Sequence, residues 1–356
     1  MALWWWLACT SSSSESAPIQ VEKDSVADSP GDSDPPLEAG PDCTDQTWPI
    51  STPFNILGQH LLRGEATAEE RAELDQLIAD YMPGNLGPWR HWVWGPMKST
   101  DGVHFAGEEG TVLQQASVPE LVYTPDGTLW IFYVDGDLQR LRERAAAGEP
   151  VGPGLRGFGG LAAATSRDGR SFEEVELSFR GDLPLYMVDP DIVRMPDGSY
   201  QLYYLGVPAE RVCADTPDPF GTPAPHELYL ATSEDLIHWE QQGVVWSVEG
   251  PGTDPAVWCT EEPACYLYMG SPGRSTDGGR SFQPFAMELG YTPMLPDAIV
   301  KAGKTWLYHR DPNILRVAGS TDQQHWQDEG ELGLSALGPT AATVGEETWM
   351  YLLSTD

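Results

Sequence analysis

Two short phrases alternate five times along residues 90–356, and no other feature limits the fold so tightly. One phrase is Ser-x-Asp followed shortly by an aromatic residue. It reads STDGVHF from Ser99, SRDGRSF from Ser166, SEDLIHW from Ser233, STDGGRSF from Ser275 and STDQQHW from Ser320. The other sets a Pro before a short apolar run, then a turn, then an aromatic run. It reads VPELVYTPDGTLWIFY from Val118, DPDIVRMPDGSYQLYY from Asp189, DPAVWCTEEPACYLY from Asp254, LPDAIVKAGKTWLYH from Leu295 and GPTAATVGEETWMYL from Gly338.

A short apolar run, a turn and an aromatic run make an antiparallel strand pair, A and B, with Pro-Asp-Gly chemistry in the first two turns. Runs such as LAAATS and LYLATS supply strand C. The Ser-x-Asp phrase is then the C–D turn, in which Asp accepts backbone N–H groups and the aromatic opens strand D. A four-stranded unit cannot bury both faces alone, so the units must stack around an axis as blades. The repeat begins with a C–D half and ends with an A–B half. Residues 339–353 are therefore expected to pair with residues 91–98, closing the ring without open edges. A β-sandwich gives no reason for both phrases to count five. The predicted fold is all-β, a five-bladed β-propeller closed by N- and C-terminal strands sharing one blade, preceded by a short helix.

Composition narrows the partners. Twenty Lys and Arg stand against 54 Asp and Glu, a formal charge of −34, which disfavours nucleic acid and anionic lipid. Gly (37) and Pro (31) are dense enough to exclude a helical bundle. No apolar run reaches the ~18 residues that span a bilayer.

Residues 1–9 end in Leu7-Ala8-Cys9 after an apolar, Trp-rich run, and this resembles a bacterial lipoprotein signal. The resemblance implies lipidation of Cys9 and a protein exported to the outer membrane, the cell surface or the periplasm, touching membrane only through its anchor. Residues 10–48 are Ser-, Pro- and acid-rich and read as a solvated tether. Residues 49–89 form a lead-in, with a helix over 66–82 capped by Thr67 and Glu70. Cys259 and Cys265 flank a hairpin turn and are expected to form a disulfide, which leaves Cys43 and Cys213 as a second pair.

The five-blade pattern, with DPDIVRMPDGSYQLYY and LYLATSEDLIHW as its most specific stretches, resembles the propellers of glycoside hydrolase families 43 and 32 across residues 90–356. The family implies a carbohydrate substrate and a base, a tuning Asp and an acid on three successive innermost strands. Asp189 matches the tuning position. The base position falls on Val118, so Glu120 would have to substitute. The acid position falls on Glu249 by motif or on Asp254 by strand alignment. Asp191, Asp297, His309 and Arg310 are expected on the same face as substrate-binding groups, with His309 and Arg310 in a B–C turn. Trp130, Trp306 and Tyr204 read as core. Two long insertions, 135–158 and 206–226, should wall that face. The five Ser-x-Asp turns lie on the opposite face and read as structural. No zinc-type Cys/His spacing and no nucleotide fingerprint occurs, so no cofactor is expected, although the axial acids leave room for a central cation such as calcium. The chain is expected to be a monomer. Two functions follow: a glycosidase-like enzyme with a modified acid set, or a non-catalytic surface lipoprotein that binds glycan or protein.

Overall fold

The computed structural model describes Thr67–Glu70, Ala72 and Gln76 and most of residues 90–355. Outside the description lie 108–109, 138–139, 141–142, 144–159, 185, 208–225, 249–251, 253, 261–263 and 312–313. In the lead-in, residues 68–70 are helical. The Thr67 backbone N–H donates to Glu70 Oε2 at 2.7 Å, and the Glu70 N–H donates to Thr67 Oγ1 at 3.2 Å. This reciprocal pair satisfies two N–H groups that a helix start leaves open.

Strands follow in the order the repeats dictate. β1 (His91–Ser99) and β2 (Thr111–Gln114) come first. Blade one is β3 (Ala116–Tyr123), β4 (Leu129–Asp135), β5 (Leu161–Ser166) and β6 (Glu173–Val175). After β7 (Ser178–Arg180), blade two is β8 (Tyr186–Arg194), β9 (Tyr200–Val207), β10 (His226–Ser233) and β11 (His238–Val248). Blade three is β12 (Ala256–Cys259), β13 (Cys265–Met269), β14 (Ser271–Ser275) and β15 (Gln283–Pro284). Blade four is β16 (Met294–Lys301), β17 (Lys304–Asp311), β18 (Ile314–Ser320) and β19 (Gln327–Glu331). The last strands, β20 (Gly338–Val344) and β21 (Glu347–Thr355), share a sheet with β1 and β2. Trp92 pairs with Ser354 and Met97 with Met350. The innermost strands β3, β8, β12, β16 and β20 neighbour one another in a closed circle. The chain is thus a five-bladed β-propeller. One strand was not foreseen: β7 adds to β11 in parallel, where the link between blades runs along an open sheet edge.

Five apolar clusters lie between consecutive blades. Phe132 and Trp239 meet edge to face between blades one and two, with ring centroids 5.9 Å apart. Tyr203 and Phe282 do so between two and three, Trp258 and Trp326 between three and four, and Phe172 and Tyr351 between five and one. Trp130 and Tyr204 are core residues, as read from the sequence.

The Ser-x-Asp turns stitch the blades. In each, the Ser hydroxyl accepts an N–H three or four residues on, and one Asp oxygen accepts two more. Asp235 Oδ1 takes the N–H groups of Ile237 and His238 at 2.9 and 2.8 Å. Backbone just beyond the Asp is left-handed, as at Gly102, Gly169, Leu236, Gly279 and Gln323. Strand B of the neighbouring blade then donates to the turn: Tyr308 to Gly102 O at 3.0 Å and Tyr203 to Gly279 O at 3.1 Å. Cys259 and Cys265, paired across β12 and β13, form a disulfide. Cys9, Cys43, Cys213 and nearly all of both long insertions lie outside the described residues.

Candidate functional site

Each innermost strand opens on a residue, a Pro and a second residue. The five sets are Val118-Pro119-Glu120, Asp189-Pro190-Asp191, Asp254-Pro255-Ala256, Leu295-Pro296-Asp297 and Gly338-Pro339-Thr340. In the first four the leading residue is left-handed, with φ between 44° and 52°. Val118 and Leu295 adopt this conformation against their own preference, so the surrounding ring imposes it. The ladder skips residues there, between Ser117 and Glu120, Val188 and Asp191, and Met294 and Asp297. These bulges separate the leading residues, which stand at the mouth of the axis, from the following residues, which point into it.

The inner set is buried. Glu120, Asp191 and Asp297 are buried, and one carboxylate oxygen of each lies within 4.8 Å of the other two. Each reaches across to the next blade in its path. Glu120 Oε1 accepts the Ile192 N–H at 3.5 Å, and Asp191 Oδ2 accepts the Val257 N–H at 3.0 Å. Asp297 Oδ2 accepts the Ala341 N–H, and Thr340 Oγ1 donates to Glu120 Oε2 at 3.3 Å. Burial, followed by mutual repulsion, holds the Glu120 and Asp191 carboxyls well above the usual range. Burial pushes Asp297 up to about 7. Glu120 and Asp297 border a small axial cavity, whereas Asp191 is not among its lining residues. The bulge after Val118, Asp189 and Leu295 turns these side chains inward, between blades.

The outer set holds two acids on consecutive strands. Asp189 and Asp254 are both partly exposed, and the Asp254 N–H donates to Asp189 Oδ2 at 3.4 Å. Burial, then the neighbouring Asp254 charge, raises the Asp189 carboxyl. Val118, Glu120, Asp254, Leu295, Asp297 and Gly338 line a cavity of about 20 Å³, room for about one water. Glu249 lies outside the described residues.

His309 and Arg310 sit elsewhere than expected. They belong to strand β17, paired with Arg316 and Leu315, and not to a turn, because the strand runs on to Asp311. His309 is fully buried, its Nε2 2.9 Å from the Tyr291 hydroxyl, and burial lowers its proton affinity. Arg310 is buried too, and desolvation lowers its affinity. Two histidines on this face were missed. His91 Nδ1 lies 2.7 Å from Ser117 Oγ, beside Val118, and burial lowers the His91 ring to about 4. His226 Nδ1 lies 2.6 Å from Gly252 O, at the end of the Glu249-Gly250-Pro251 segment. Both stand at the start of a strand C. That placement was readable, since strand C starts share a face with strand A starts.

A larger groove of about 760 Å³ lies on the opposite face between blades two and three, lined by Arg180, Asp197, Glu234, Asp277 and Arg280 among others. Asp277 spends both oxygens, and Asp197 its Oδ1, on turn hydrogen bonds. The groove is shaped by turns and gathers no reactive pair, so the smaller axial mouth is the better candidate.

No protein-family model matches the chain, and no curated protein sequence matches it. Solved structures are similar to it at low identity. A novel alpha-L-arabinofuranosidase from Clostridium thermocellum is 14% identical with a TM-score of 0.47, covering 66% of this chain and 80% of its own. A protein of unknown function from Dyadobacter fermentans is 16% identical with a TM-score of 0.49, covering 73% and 83%. A family 117 glycoside hydrolase from the marine bacterium Zobellia galactanivorans is 12% identical with a TM-score of 0.47, covering 75% and 92%. Likeness at this level passes no activity to this chain, and the five-bladed architecture rests on its own sheets.

Proposed function

We propose that this protein is a glycosidase-like, carbohydrate-active propeller that acts on an extracellular glycan at the mouth of its axis by carboxylate acid/base hydrolysis. The observation that carries this reading is the pairing of Asp189 and Asp254 at the heads of consecutive innermost strands, both partly exposed beside a buried acidic cluster. Two neighbouring carboxyl groups are what glycosidic acid/base chemistry uses. Asp189 orients and tunes its neighbour, and Asp254 or Glu249 donates the proton. The base is Glu120, which borders the axial cavity, or another residue of that face. The Cys259–Cys265 disulfide supports export to an oxidising compartment. There Cys9 would hold the chain to the bacterial surface.

One observation favours a second reading. Val118 stands where the family places its base, and an apolar residue cannot take a proton. A non-catalytic surface lipoprotein that binds glycan or protein on the same face is the alternative. The two separate on aryl glycosides of arabinose, xylose, fructose and galactose. Hydrolysis by wild type that falls ~10²–10⁴-fold in Asp189→Asn supports the enzyme. Activity unchanged in Asp189→Asn rules out this site, and no hydrolysis with retained glycan binding supports the binding protein.

A further inference from the structure

Two histidines open a strand C. His91 opens β1 in the closing blade and His226 opens β10 in blade two. Each reaches the chain that leads into the next innermost strand. His226 Nδ1 meets the Gly252 carbonyl, two residues before Asp254, and His91 Nδ1 meets the Ser117 hydroxyl at 2.7 Å, directly before Val118. The two rings therefore flank the heads of the first and third innermost strands.

The contacts differ in kind. His226 is held by backbone. His91 is held through one nitrogen by a side chain, and its Nε2 has no hydrogen-bond partner among the described residues. His91 is partly exposed, and Ser117 is buried. When Nδ1–H donates to Ser117 Oγ, Nε2 carries the lone pair of the neutral ring. The anchor is stiff. Ser117 lies between Gln115 and Val118, both left-handed at φ 53° and 44°, and the Gly136 N–H donates to the Gln115 carbonyl at 2.8 Å. Backbone strain of this kind is kept where a group must be held in place. The residues that precede Asp189 and Leu295 are Val188 and Met294, which offer an imidazole no hydrogen bond.

We propose that His91 is the general base of the axial site, oriented by Ser117 and standing in for the carboxylate that Val118 lacks. The inference rests on the glycan reading above. Glu120 is less suited to the role. Its Oε1 accepts the Ile192 N–H, its Oε2 accepts the Thr340 hydroxyl, and burial favours its protonated form. Burial alone, with no charged neighbour, lowers His91 to about 4, near the ~3.9 of an ordinary Asp, so the ring is neutral at pH 7. In the step, His91 Nε2 takes a proton from a water as the water oxygen bonds to the anomeric carbon. The bond from that carbon to the leaving oxygen breaks, and the proton of Asp254 or Glu249 passes to the leaving oxygen. The sugar departs with inverted configuration. His91 then returns its proton to solvent, and the acid takes one up.

The test uses the whole chain and the aryl glycoside of arabinose, xylose, fructose or galactose that wild type hydrolyses fastest, with thermal melting to check that each variant folds. His91→Ala should lose ~10²–10⁴-fold in kcat. Azide attacks without needing a base. It should restore turnover in His91→Ala, releasing a glycosyl azide of inverted configuration, and should leave Asp189→Asn inactive. Ser117→Ala should lower kcat with KM kept, and Ser117→Thr, which keeps the hydroxyl, should retain kcat. If His91→Ala does not fold, wild type carries the test. Its kcat/KM should fall as pH drops below about 4, with a midpoint that moves with temperature as imidazole ionisation does and carboxylate ionisation does not. A midpoint fixed in temperature overturns the assignment. A loss in His91→Ala that azide does not restore overturns it too, leaving the ring a structural role. Hydrolysis undiminished in His91→Ala but lost in Asp189→Asn overturns His91 and leaves the glycan reading standing. No hydrolysis by wild type overturns the hydrolytic reading and the base with it.

Discussion

Removing the last fifteen residues should unfold the propeller, because they carry most of the blade that closes the ring. The cut deletes β21 and the end of β20. Met350, Tyr351, Leu352 and Leu353 lie in β21, all at most 3% exposed. At about 1.5–3 kcal/mol for each large apolar side chain, their burial contributes roughly 6–12 kcal/mol. A domain is stable by only about 5–15 kcal/mol in total, so the loss is comparable to the whole. Two further costs add to it. β1 loses the strand that pairs His91 through Ser99, and the turn at Gly169 loses the Tyr351 hydroxyl. Both β1 and the remnant of β20 become open edges. Circular dichroism on heating and resistance to limited proteolysis read the outcome: the truncated chain should show no cooperative transition and should be digested under conditions that spare the full chain. A truncated protein that melts cooperatively within a few degrees of the full chain would refute the closing blade as a structural necessity.

Other expectations are smaller and more local. A Cβ on Gly279 would stand 1.9 Å from the Tyr203 hydroxyl at a φ of 83°, so Gly279→Ala should cost roughly 2–4 kcal/mol in denaturant unfolding. Gly198→Ala, equally left-handed but with open space around it, should cost only about 1 kcal/mol. His91 is held at about 4 in the fold against ~6.5 when unfolded, so the unfolded chain binds more protons between those values. Its contribution is present above pH ~6.5 and is lost as pH falls to ~4; wild type should lose about 2–3 kcal/mol more than His91→Gln over that span. Cys259 and Cys265 should resist thiol labelling in the native protein, and the Cys259→Ser, Cys265→Ser double variant should lose about 2 kcal/mol, the value for so short a loop. Labelling of either cysteine without reductant would contradict the bond.

The fold was legible because its punctuation is local. Each Ser-x-Asp turn contains its own hydrogen-bond donors and acceptors within six residues, so the chemistry can be read from the string of residues alone. The count of five and the split blade followed from the order of the phrases. The site was legible only in part. Strand alternation placed Asp189 and Asp191 near the axis, but not the left-handed turn at Asp189 that sends the two acids into different groups. That turn is imposed by the ring, since Val118 and Leu295 share it and nothing in a Val or Leu favours it. His309 and Arg310 were misplaced for a simpler reason. The stretch WLYHRDPN reads as a B–C turn at His309 and Arg310, yet pairing with β18 carries strand B to Asp311. β7 had no signature, because a three-residue addition to an edge needs only free backbone.

The most direct test of the glycan reading is a crystal structure of Asp189→Asn soaked with arabinose, xylose, fructose and galactose oligosaccharides. Both the enzyme and the binding reading place the sugar at the mouth of the axis. A sugar hydroxyl or glycosidic oxygen should lie within about 3 Å of the Asp254 carboxylate, above the cavity lined by Val118, Leu295 and Gly338. Sugar bound only in the groove between blades two and three, with the axial mouth empty, would contradict the account.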